Sequence, residues 1–184
     1  MKKIRFIVNP KSGLNKNAKR IEQLIDSVLS KTDISYQVVY TSMPGEATEL
    51  ARDAVQQHFD TVAVVGGDGT INEAGCGLVG SDTILAIIPS GSGNGMARNL
   101  KIPLNKKEAI ELLVNPRVIR MDVGMINDHY FFNVTGFGLD AEVSENYEEF
   151  GIRGPVSYFI VGTRTFFKYK SNPVTIRFDN QEIN

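Results

Sequence analysis

The chain has 184 residues, of which 42% are hydrophobic and 22% are charged, with 20 basic side chains against 21 acidic ones and a formal net charge of -1. This composition excludes a disordered or fibrous chain, and the near-zero charge argues against a nucleic-acid-binding protein that depends on a broad basic surface. The length suits one domain and the start of a second.

The cysteine content and the apolar runs indicate where the protein works. The single cysteine, Cys76, cannot form an internal disulfide, which favours a reducing compartment. No signal peptide precedes the first apolar run, and no window reaches about 18 uninterrupted apolar residues. We therefore expect a cytoplasmic protein whose contact with a membrane is peripheral.

The first part of the chain alternates apolar runs with amphipathic segments. The runs at residues 4–8, 34–40, 61–65 and 83–88 predict strands. Helices are predicted between these strands and after the last of them. Two of the helices have an apolar inner stripe: Ile21, Leu24, Ile25, Val28 and Leu29 in the first, and Ala47, Leu50, Ala51, Ala54 and Val55, after Pro44, in the second. Two more helices are predicted at residues 71–78 and 105–113, the latter with Asn105 and Glu108 as a capping pair. Strands that alternate with helices form βαβ units, so we expect an open α/β domain with a parallel sheet.

The pattern changes after Pro116. Residues 117–126 and 129–134 predict two strands joined by a tight turn at Asn127 and Asp128, and residues 155–167 and 173–179 predict a helix and a strand. So few elements cannot close a core. We therefore expect an α/β domain at residues 1–117, the truncated start of a β-rich, sandwich-like domain at 118–184, and a sequence that is part of a longer protein.

Three polar, glycine-bearing loops follow the predicted strands, at residues 9–13, 66–70 and 89–95. In an open parallel sheet, ligands bind outside the carboxyl ends of the strands, where backbone N–H groups and helix N-termini favour anions. Glycines allow the backbone to approach a phosphate closely, although in any one loop they could equally serve a turn. Together the three loops predict a local cradle for nucleotide phosphates.

Asp68 is the most informative single residue, because a carboxylate among glycines gains no packing and repels phosphates unless it has a specific task. It could orient Mg²⁺, directly or through water, or take the proton of an attacking hydroxyl group. The alternative is that Asp68 caps the helix that follows, and the hydroxyl of Thr70 could equally be a cap.

Three motifs stand in order along the chain: Asn9-Pro10, Gly66-Gly67-Asp68-Gly69-Thr70, and Pro89-Ser90-Gly91-Ser92-Gly93-Asn94. The combination resembles the diacylglycerol kinase catalytic-domain family, which includes sphingosine and ceramide kinases and bacterial soluble lipid kinases, over nearly the whole chain. NAD kinases share the middle motif, and phosphofructokinases carry a near relative of it. A NAD kinase is not expected to carry the third motif, and Asn72-Glu73 falls too early for the Asn-Glu signature of that family.

The resemblance implies roles for particular residues. ATP would be surrounded by Asn9, Thr41, Gly67, Asp68, Gly69, Thr70, Gly91, Ser92 and Asn94, and the Gly45-Glu46-Ala47 turn would lie near the adenosine. Asp140 matches a position that contacts the polar head of the lipid, although it could instead cap a helix that begins at Ala141. Where bacterial diacylglycerol kinases usually carry Gly-Thr-x-Asn-Asp, this chain has Gly91-Ser92-Gly93-Asn94-Gly95, which is closer to the sphingosine kinase form.

Other candidate residues have a structural explanation. Asp122 resembles a family motif at the domain junction, and we favour a structural role. An aromatic-rich stripe on the predicted helix at 155–167 could line an acyl-chain cavity but is more typical of core packing, and it consists of Tyr158, Phe159, Ile160, Phe166 and Phe167. His58 and His129 lack the spacing of metal ligands, so no side chain is assigned to a metal.

The residues and the resemblance together predict an ATP-dependent lipid kinase that uses Mg²⁺ and transfers the γ-phosphoryl group to a lipid hydroxyl, diacylglycerol-like or sphingoid-base-like, at a membrane surface. The alternatives are a NAD-kinase-like phosphotransferase with a soluble acceptor and a nucleotide-sensing module without catalysis. Nucleic acid is not an expected partner, and a homodimer stays open. In bacterial members of the family a carboxylate further along the chain is also assigned the role of base, so it stays open whether these 184 residues turn over a substrate.

Overall fold

The computed structural model describes residues 2–12, 18–149, 155–170, 173–178 and 181–183. Contacts within the chain form two compact units, Met1–Asn133 and Val134–Asn184. The elements of the first unit are β1 (Lys2–Val8), α1 (Ala18–Leu29), β2 (Ile34–Tyr40), α2 (Glu46–Gln56), β3 (Thr61–Gly66), α3 (Asp68–Leu78), β4 (Ile84–Pro89), α4 (Gly95–Asn99), α5 (Lys106–Glu111), β5 (Gly124–Ile126) and β6 (His129–Phe131). The elements of the second are α6 (Leu139–Glu149), α7 (Pro155–Lys168), β7 (Ile176–Phe178) and β8 (Gln181–Ile183).

The first unit is built on a parallel sheet with the strand order β2-β1-β3-β4. Side chains alternate between its two faces, so that one row contacts α2 and α3 and the next row contacts α1 and α5. The first row is Val39, Ile7, Val64 and Ile87, and the second is Val38, Phe6, Ala63 and Ala86. Every residue of β3 is buried, as its unbroken apolar run indicates. The predicted fold class is thereby confirmed.

The two helices α2 and α3 pack against each other at an unusually short distance. A Cβ atom on Gly77 of α3 would lie 2.4 Å from the carbonyl oxygen of Thr48 in α2. The hydroxyl of Thr48 donates in turn to the carbonyl oxygen of Glu73 at 2.8 Å. Glycine at position 77 is therefore what allows this hydrogen bond between the helices.

Arg5 is a charged residue within the buried part of β1, where its side chain is only 2% exposed. Its guanidinium lies over the ring of Phe59, 4.4 Å from the centroid, and donates to four residues: Gln37, Leu50, Asp53 and Gln57. A buried charge is tolerated only when its donors are paired. The polar groups that satisfy Arg5 therefore attach α2 and β2 to the middle of the sheet.

Several predicted boundaries need correction. Helix α3 begins at Asp68 rather than at residue 71, because Gly67 occupies the N-cap position and the polar residues after it already form the first turn. Pro44 precedes α2 and lies outside its first turn, since Gly45 is the N-cap. The short helix α4 was not predicted. Asn105 caps α5 as expected, with its side chain accepting from the N–H groups of Lys107 and Glu108.

The tight turn predicted at Asn127 and Asp128 is confirmed. Both residues have positive φ angles, 45° and 67°, as a two-residue hairpin turn requires. The paired strands are shorter than predicted, with three residues in each of β5 and β6. Phe132, just after β6, lies against Gly75 of α3, so the hairpin packs within the first unit. The domain division after residue 117 stays a prediction.

The second unit contains the helix predicted at 155–167 and a small antiparallel pair, β7 and β8. The strand predicted at 173–179 is limited to β7, and Asp179 lies outside the described residues. Helix α7 packs against α6, and the hydroxyl of Thr165 accepts from the side-chain amide of Asn146 at 3.1 Å. Ser157, Val161 and Thr165, which are spaced four residues apart, are buried. None of the helices in the described ranges is long and apolar enough to cross a membrane.

The prediction that the aromatic stripe of α7 packs in a core is wrong. Phe159 is 74% exposed and Phe167 is 81% exposed, and Tyr158, Ile160 and Phe166 are exposed as well. The buried line of α7 is formed by Ser157, Val161 and Thr165 instead, although the ring of Tyr158 also meets that of Tyr147 in α6, with 5.2 Å between the centroids.

Candidate functional site

The candidate site lies at the carboxyl edge of the parallel sheet. The chain passes from β1 to β2 on one side and then returns across β1 to β3 on the other, with α1 on one face and α2 on the opposite face. This change of direction places a topological switch point between β1 and β3, where open α/β sheets bind ligands. At this point the N–H group of Asn9, just after β1, donates to the carbonyl oxygen of Val65 in β3 at 3.0 Å.

Asn9 joins the first loop to the start of α3. Its side-chain oxygen accepts from the N–H group of Lys11 at 2.9 Å, and its carbonyl oxygen accepts from the hydroxyl of Ser12 at 2.8 Å. The remaining side-chain group, Nδ2, donates to the hydroxyl oxygen of Thr70 at 2.9 Å. Asn9 and Thr70 therefore meet as the predicted site requires, whereas Gly13 lies outside the described residues.

Asp68 joins the second loop to the third. Its two carboxylate oxygens accept the N–H groups of Gly95 and Met96, each at 3.0 Å. Asp68 therefore caps α4. The alternative in which it caps the helix that follows it, α3, is wrong. A carboxylate offers about four acceptor positions, so these two bonds leave others for a ligand or a water molecule.

The second and third loops touch through two glycines. A Cβ atom on Gly91 would lie 2.6 Å from the Cα atom of Gly67, and a Cβ atom on Gly67 would lie 3.2 Å from the Cα atom of Gly91. A side chain at Gly91 would therefore push the loops apart. Gly69 differs from both, because nothing lies within 4 Å of a Cβ atom built there. The first turn of α3 thus faces open space at this residue.

Asn94 closes the third loop on itself. It has the left-handed backbone conformation, with φ 52°, and its side chain both accepts from the N–H group of Gly91 at 2.8 Å and donates to the carbonyl oxygen of Gly91 at 2.9 Å. The N–H group of Ser90 donates to the carbonyl oxygen of Gly66 at 2.8 Å. Ser92 is exposed at the tip. Asn94 therefore shapes the loop, and Ser92 is the side chain of this loop that is turned outward.

A fourth segment at the same edge follows β2. The N–H group of Thr41 donates to the carbonyl oxygen of Val8 at 2.9 Å, which holds Thr41 beside β1. The carboxylate of Glu46 accepts from the N–H group and the hydroxyl of Ser42, and from the N–H group of Met43. The N–H group of Ser42 is the main reason why the pKa of Glu46 is lowered. These bonds fix the turn at Gly45, which has a positive φ of 85°.

Asp140 belongs to the second unit and is exposed. It lies in the first turn of α6, which begins at Leu139, so the alternative in which it caps a helix starting at Ala141 is wrong. Its carbonyl oxygen accepts from the hydroxyl of Ser144 at 3.0 Å. A contact of Asp140 with a lipid head stays a prediction.

In the described part of the chain, two cations that no sequence motif indicates hydrogen-bond to loops at this edge. The ammonium group of Lys11 donates to the carbonyl oxygen of Ser42 at 3.4 Å, and Nε of Arg98 donates to the carbonyl oxygen of Gly93 at 3.0 Å. The signal that the sequence offers for these two cations is their position within or just after a glycine-bearing loop. The near-zero net charge of the chain does not reveal such a local positive charge. Within the described ranges no three His, Cys, Asp or Glu side chains lie together as a metal site of protein ligands would need.

Comparison with known proteins gives a consistent result. The family model for the diacylglycerol kinase catalytic domain matches residues 3–126. The chain is 30% identical to the diacylglycerol kinases of Staphylococcus saprophyticus and Bacillus subtilis, in each case over 98% of this chain and over 60% and 61% of those proteins. It also resembles a crystal structure from Bacillus anthracis str. Sterne, of a protein provisionally assigned as a diacylglycerol kinase, with a TM-score of 0.77, 31% identity, and coverage of 99% of this chain and 61% of that one. The chain thus spans about 60% of the length of the curated relatives it matches.

Proposed function

We propose a function for this chain, which belongs to the diacylglycerol kinase catalytic domain family. The site at the carboxyl edge binds ATP and directs its γ-phosphoryl group to a hydroxyl of a membrane lipid, diacylglycerol-like or sphingoid-base-like. The observation that carries the proposal is the bridge formed by Asp68, which binds the third loop from the first turn of α3. A carboxylate, two touching glycine loops and a helix N-terminus meet there, after β3 and β4 and beside the switch point between β1 and β3.

The phosphate groups are assigned to the loops around Gly67 and Gly91. The first N–H groups of a helix have no partner within it, so the start of α3 offers donors to an anion. Gly69 supports this assignment because the space beside it is open. Asn9, Thr70 and Asn94 are proposed to hold the loops in shape through their side-chain bonds, while Ser92 is proposed to contact the nucleotide directly.

The adenosine is assigned to the turn after β2. Thr41 and the Gly45-Glu46-Ala47 turn lie at the same edge as the glycine loops, and the three bonds of the Glu46 carboxylate make the turn rigid. A rigid turn costs less conformational entropy when a ligand binds.

Asp68 is proposed to act at the point of chemistry. The lipid hydroxyl oxygen would form a bond to the γ-phosphorus, the bond from that phosphorus to the ADP oxygen would break, and the hydroxyl proton would leave to Asp68 or to a water molecule that Asp68 orients. Its unused acceptor positions support either role. Positioning and electrostatics supply most of the catalysis in such transfers.

Mg²⁺ fits the residues present only as a shared ion. It usually keeps several waters and binds one or two carboxylates together with substrate phosphates, so Asp68 would be its protein contact and Mg²⁺ would offset the phosphate charge. The lipid partner implies peripheral contact with a membrane surface from the cytoplasm, and Asp140 is proposed to contact the polar head.

The test is ATP consumption by the full-length protein with Mg²⁺ and mixed micelles of diacylglycerol, sphingosine or ceramide in parallel. Asp68→Asn is compared with the wild type, and Asp82→Asn serves as a charge-matched control, because Asp82 is exposed in the turn before β4, at the opposite edge of the sheet. Lipid-dependent turnover that Asp68→Asn abolishes and Asp82→Asn retains is the expected result.

ATP affinity is measured on the same variants, because Asp68 also builds the third loop. Loss of turnover with retained ATP affinity would support a chemical role for Asp68, whereas loss of both would assign it to the loop alone. Turnover only with a soluble nucleotide acceptor would favour a NAD-kinase-like activity, and tight ATP binding without any turnover would favour a sensing module.

A further inference from the structure

Arg98 occupies a position that no motif accounts for. It stands in the last turn of α4, and its side chain folds back so that Nε donates to the carbonyl oxygen of Gly93, in the third loop. A Cβ atom on Gly93 would lie 3.3 Å from the carboxylate of Asp68. The Arg98 guanidinium is therefore fixed to the segment of the third loop that lies directly against Asp68.

The guanidinium retains most of its hydrogen-bonding capacity. Arginine carries five N–H donors, of which Arg98 uses only the one on Nε, and within the described ranges Nη1 and Nη2 donate to no residue. The planar pair of terminal nitrogens matches two oxygens of one phosphate group, which a lysine ammonium cannot do. One bond thus orients the side chain and the others are available for a ligand.

The charge at this end of the site calls for a cation. Asp68 is anionic, and the phosphates of a nucleotide placed beside it are anionic as well. Among the residues that the structure describes, the second cation that hydrogen-bonds to a loop at this edge is Lys11, which is turned toward Ser42 after β2. Strands β2 and β4 are the two outer strands of the sheet. Arg98 therefore offsets charge at the β4 side, opposite the turn to which the adenosine is assigned.

We propose that Arg98 binds the nucleotide phosphates furthest from the adenosine, through Nη1 and Nη2, and that this contact selects for nucleotides with more than one phosphate. The inference rests on the proposed function, since it takes the nucleotide to lie with its adenosine near β2 and its phosphates near β3 and β4. Arg98 is a binding residue in this role, oriented by the carbonyl oxygen of Gly93.

The experiment measures the dissociation constants of AMP, ADP and a non-hydrolysable ATP analogue for the full-length protein by titration calorimetry. Arg98→Gln is the test variant, because its side-chain amide can still donate to the carbonyl oxygen of Gly93 but carries no charge. Lys31→Gln is the matched control, since Lys31 is exposed between α1 and β2 at the opposite edge of the sheet. The midpoint of thermal unfolding is recorded for each variant.

Arg98→Gln is expected to raise the dissociation constants of ADP and the ATP analogue roughly ten- to hundredfold, as the loss of a charge-assisted contact implies. The dissociation constant of AMP and the unfolding midpoint are expected to stay unchanged. Lys31→Gln is expected to change none of these values. Equal weakening of all three nucleotides, or no change in any, would overturn the role of Arg98. If the wild-type protein binds none of the three, the proposed function itself is wrong and the inference is wrong with it.

Discussion

The side-chain amide of Asn9 and the hydroxyl of Thr70 form a hydrogen bond of 2.9 Å that ties the end of β1 to the first turn of α3. A typical net contribution of such a bond to the free energy of unfolding is about 1 kcal/mol. In a double-mutant cycle by urea unfolding, Asn9→Ala and Thr70→Val should therefore be coupled. Asn9→Ala combined with Thr83→Val should be additive, because Thr83 bonds instead to the carbonyl oxygen of Phe59 at the opposite edge. A coupling of zero for the first pair would show that the bond contributes nothing.

The contact between Gly67 and Gly91 predicts opposite outcomes at two glycines. Gly91→Ala places a methyl group 2.6 Å from the Cα atom of Gly67 and should lower the free energy of unfolding by about 1–3 kcal/mol, as overpacking does. Gly69→Ala meets nothing within 4 Å and should leave stability unchanged or raise it by up to about 1 kcal/mol. Denaturant unfolding measures both. Nucleotide affinity should fall in both variants, and unchanged affinity in Gly69→Ala would contradict the phosphate position proposed beside it.

Asn94 combines a left-handed backbone with two side-chain bonds, and two substitutions separate these contributions. Asn94→Gly keeps the backbone conformation and loses both bonds to Gly91. Asn94→Ala loses the bonds and adds the cost of a left-handed non-glycine residue, roughly 1–2 kcal/mol. Thermal and urea unfolding should therefore rank the stabilities as wild type, then Asn94→Gly, then Asn94→Ala. Equal stability of the two variants would mean that the loop relaxes out of the left-handed conformation.

The pair formed by Arg5 and Asp53 predicts a dependence of stability on acid. Hydrogen bonds from Arg5, and secondarily from Gln57, lower the pKa of Asp53 in the folded protein. The stabilisation is therefore fully present above the pKa of the unfolded chain and is lost as the pH falls through the lower pKa of the folded protein. The free energy of unfolding should decrease as the pH falls below about 4 in the wild type and decrease less steeply in Asp53→Asn. A slope in Asp53→Asn equal to that of the wild type would contradict this role of the pair.

The sheet could be predicted from the sequence because each strand is a short apolar run and each long helix has a regular inner stripe. β2 matches its predicted range, and β1, β3 and β4 differ from theirs by no more than two residues at either end. Helix α4 could not be predicted in this way, since its five residues, one of them glycine, are too few to show a periodicity. The sequence predicts a start of α3 that is three residues too late, because Asp68 and Gly69 are typical of loops and are helical here only as part of a first turn.

The site was predictable in composition but not in its connections. Glycines after strands indicated three loops, yet the bonds from Asp68 to Gly95 and Met96 depend on residues 27 and 28 positions apart, which no local pattern reveals. Arg5 shows the same limit, because its partner Asp53 lies 48 residues away. Side chains whose partners are set by tertiary contacts require the structure.

The packing of Gly77 against Thr48 has a mechanical consequence. Helix α2 carries at its N-terminus the turn fixed by Glu46, and helix α3 carries Asp68 in its first turn. Because the short approach and the bond from Thr48 to Glu73 leave no room for one helix to slide along the other, the two termini keep a constant separation. If the first unit opens or closes around a ligand, α2 and α3 must therefore move together as one rigid block, and the hinge must lie outside these two helices.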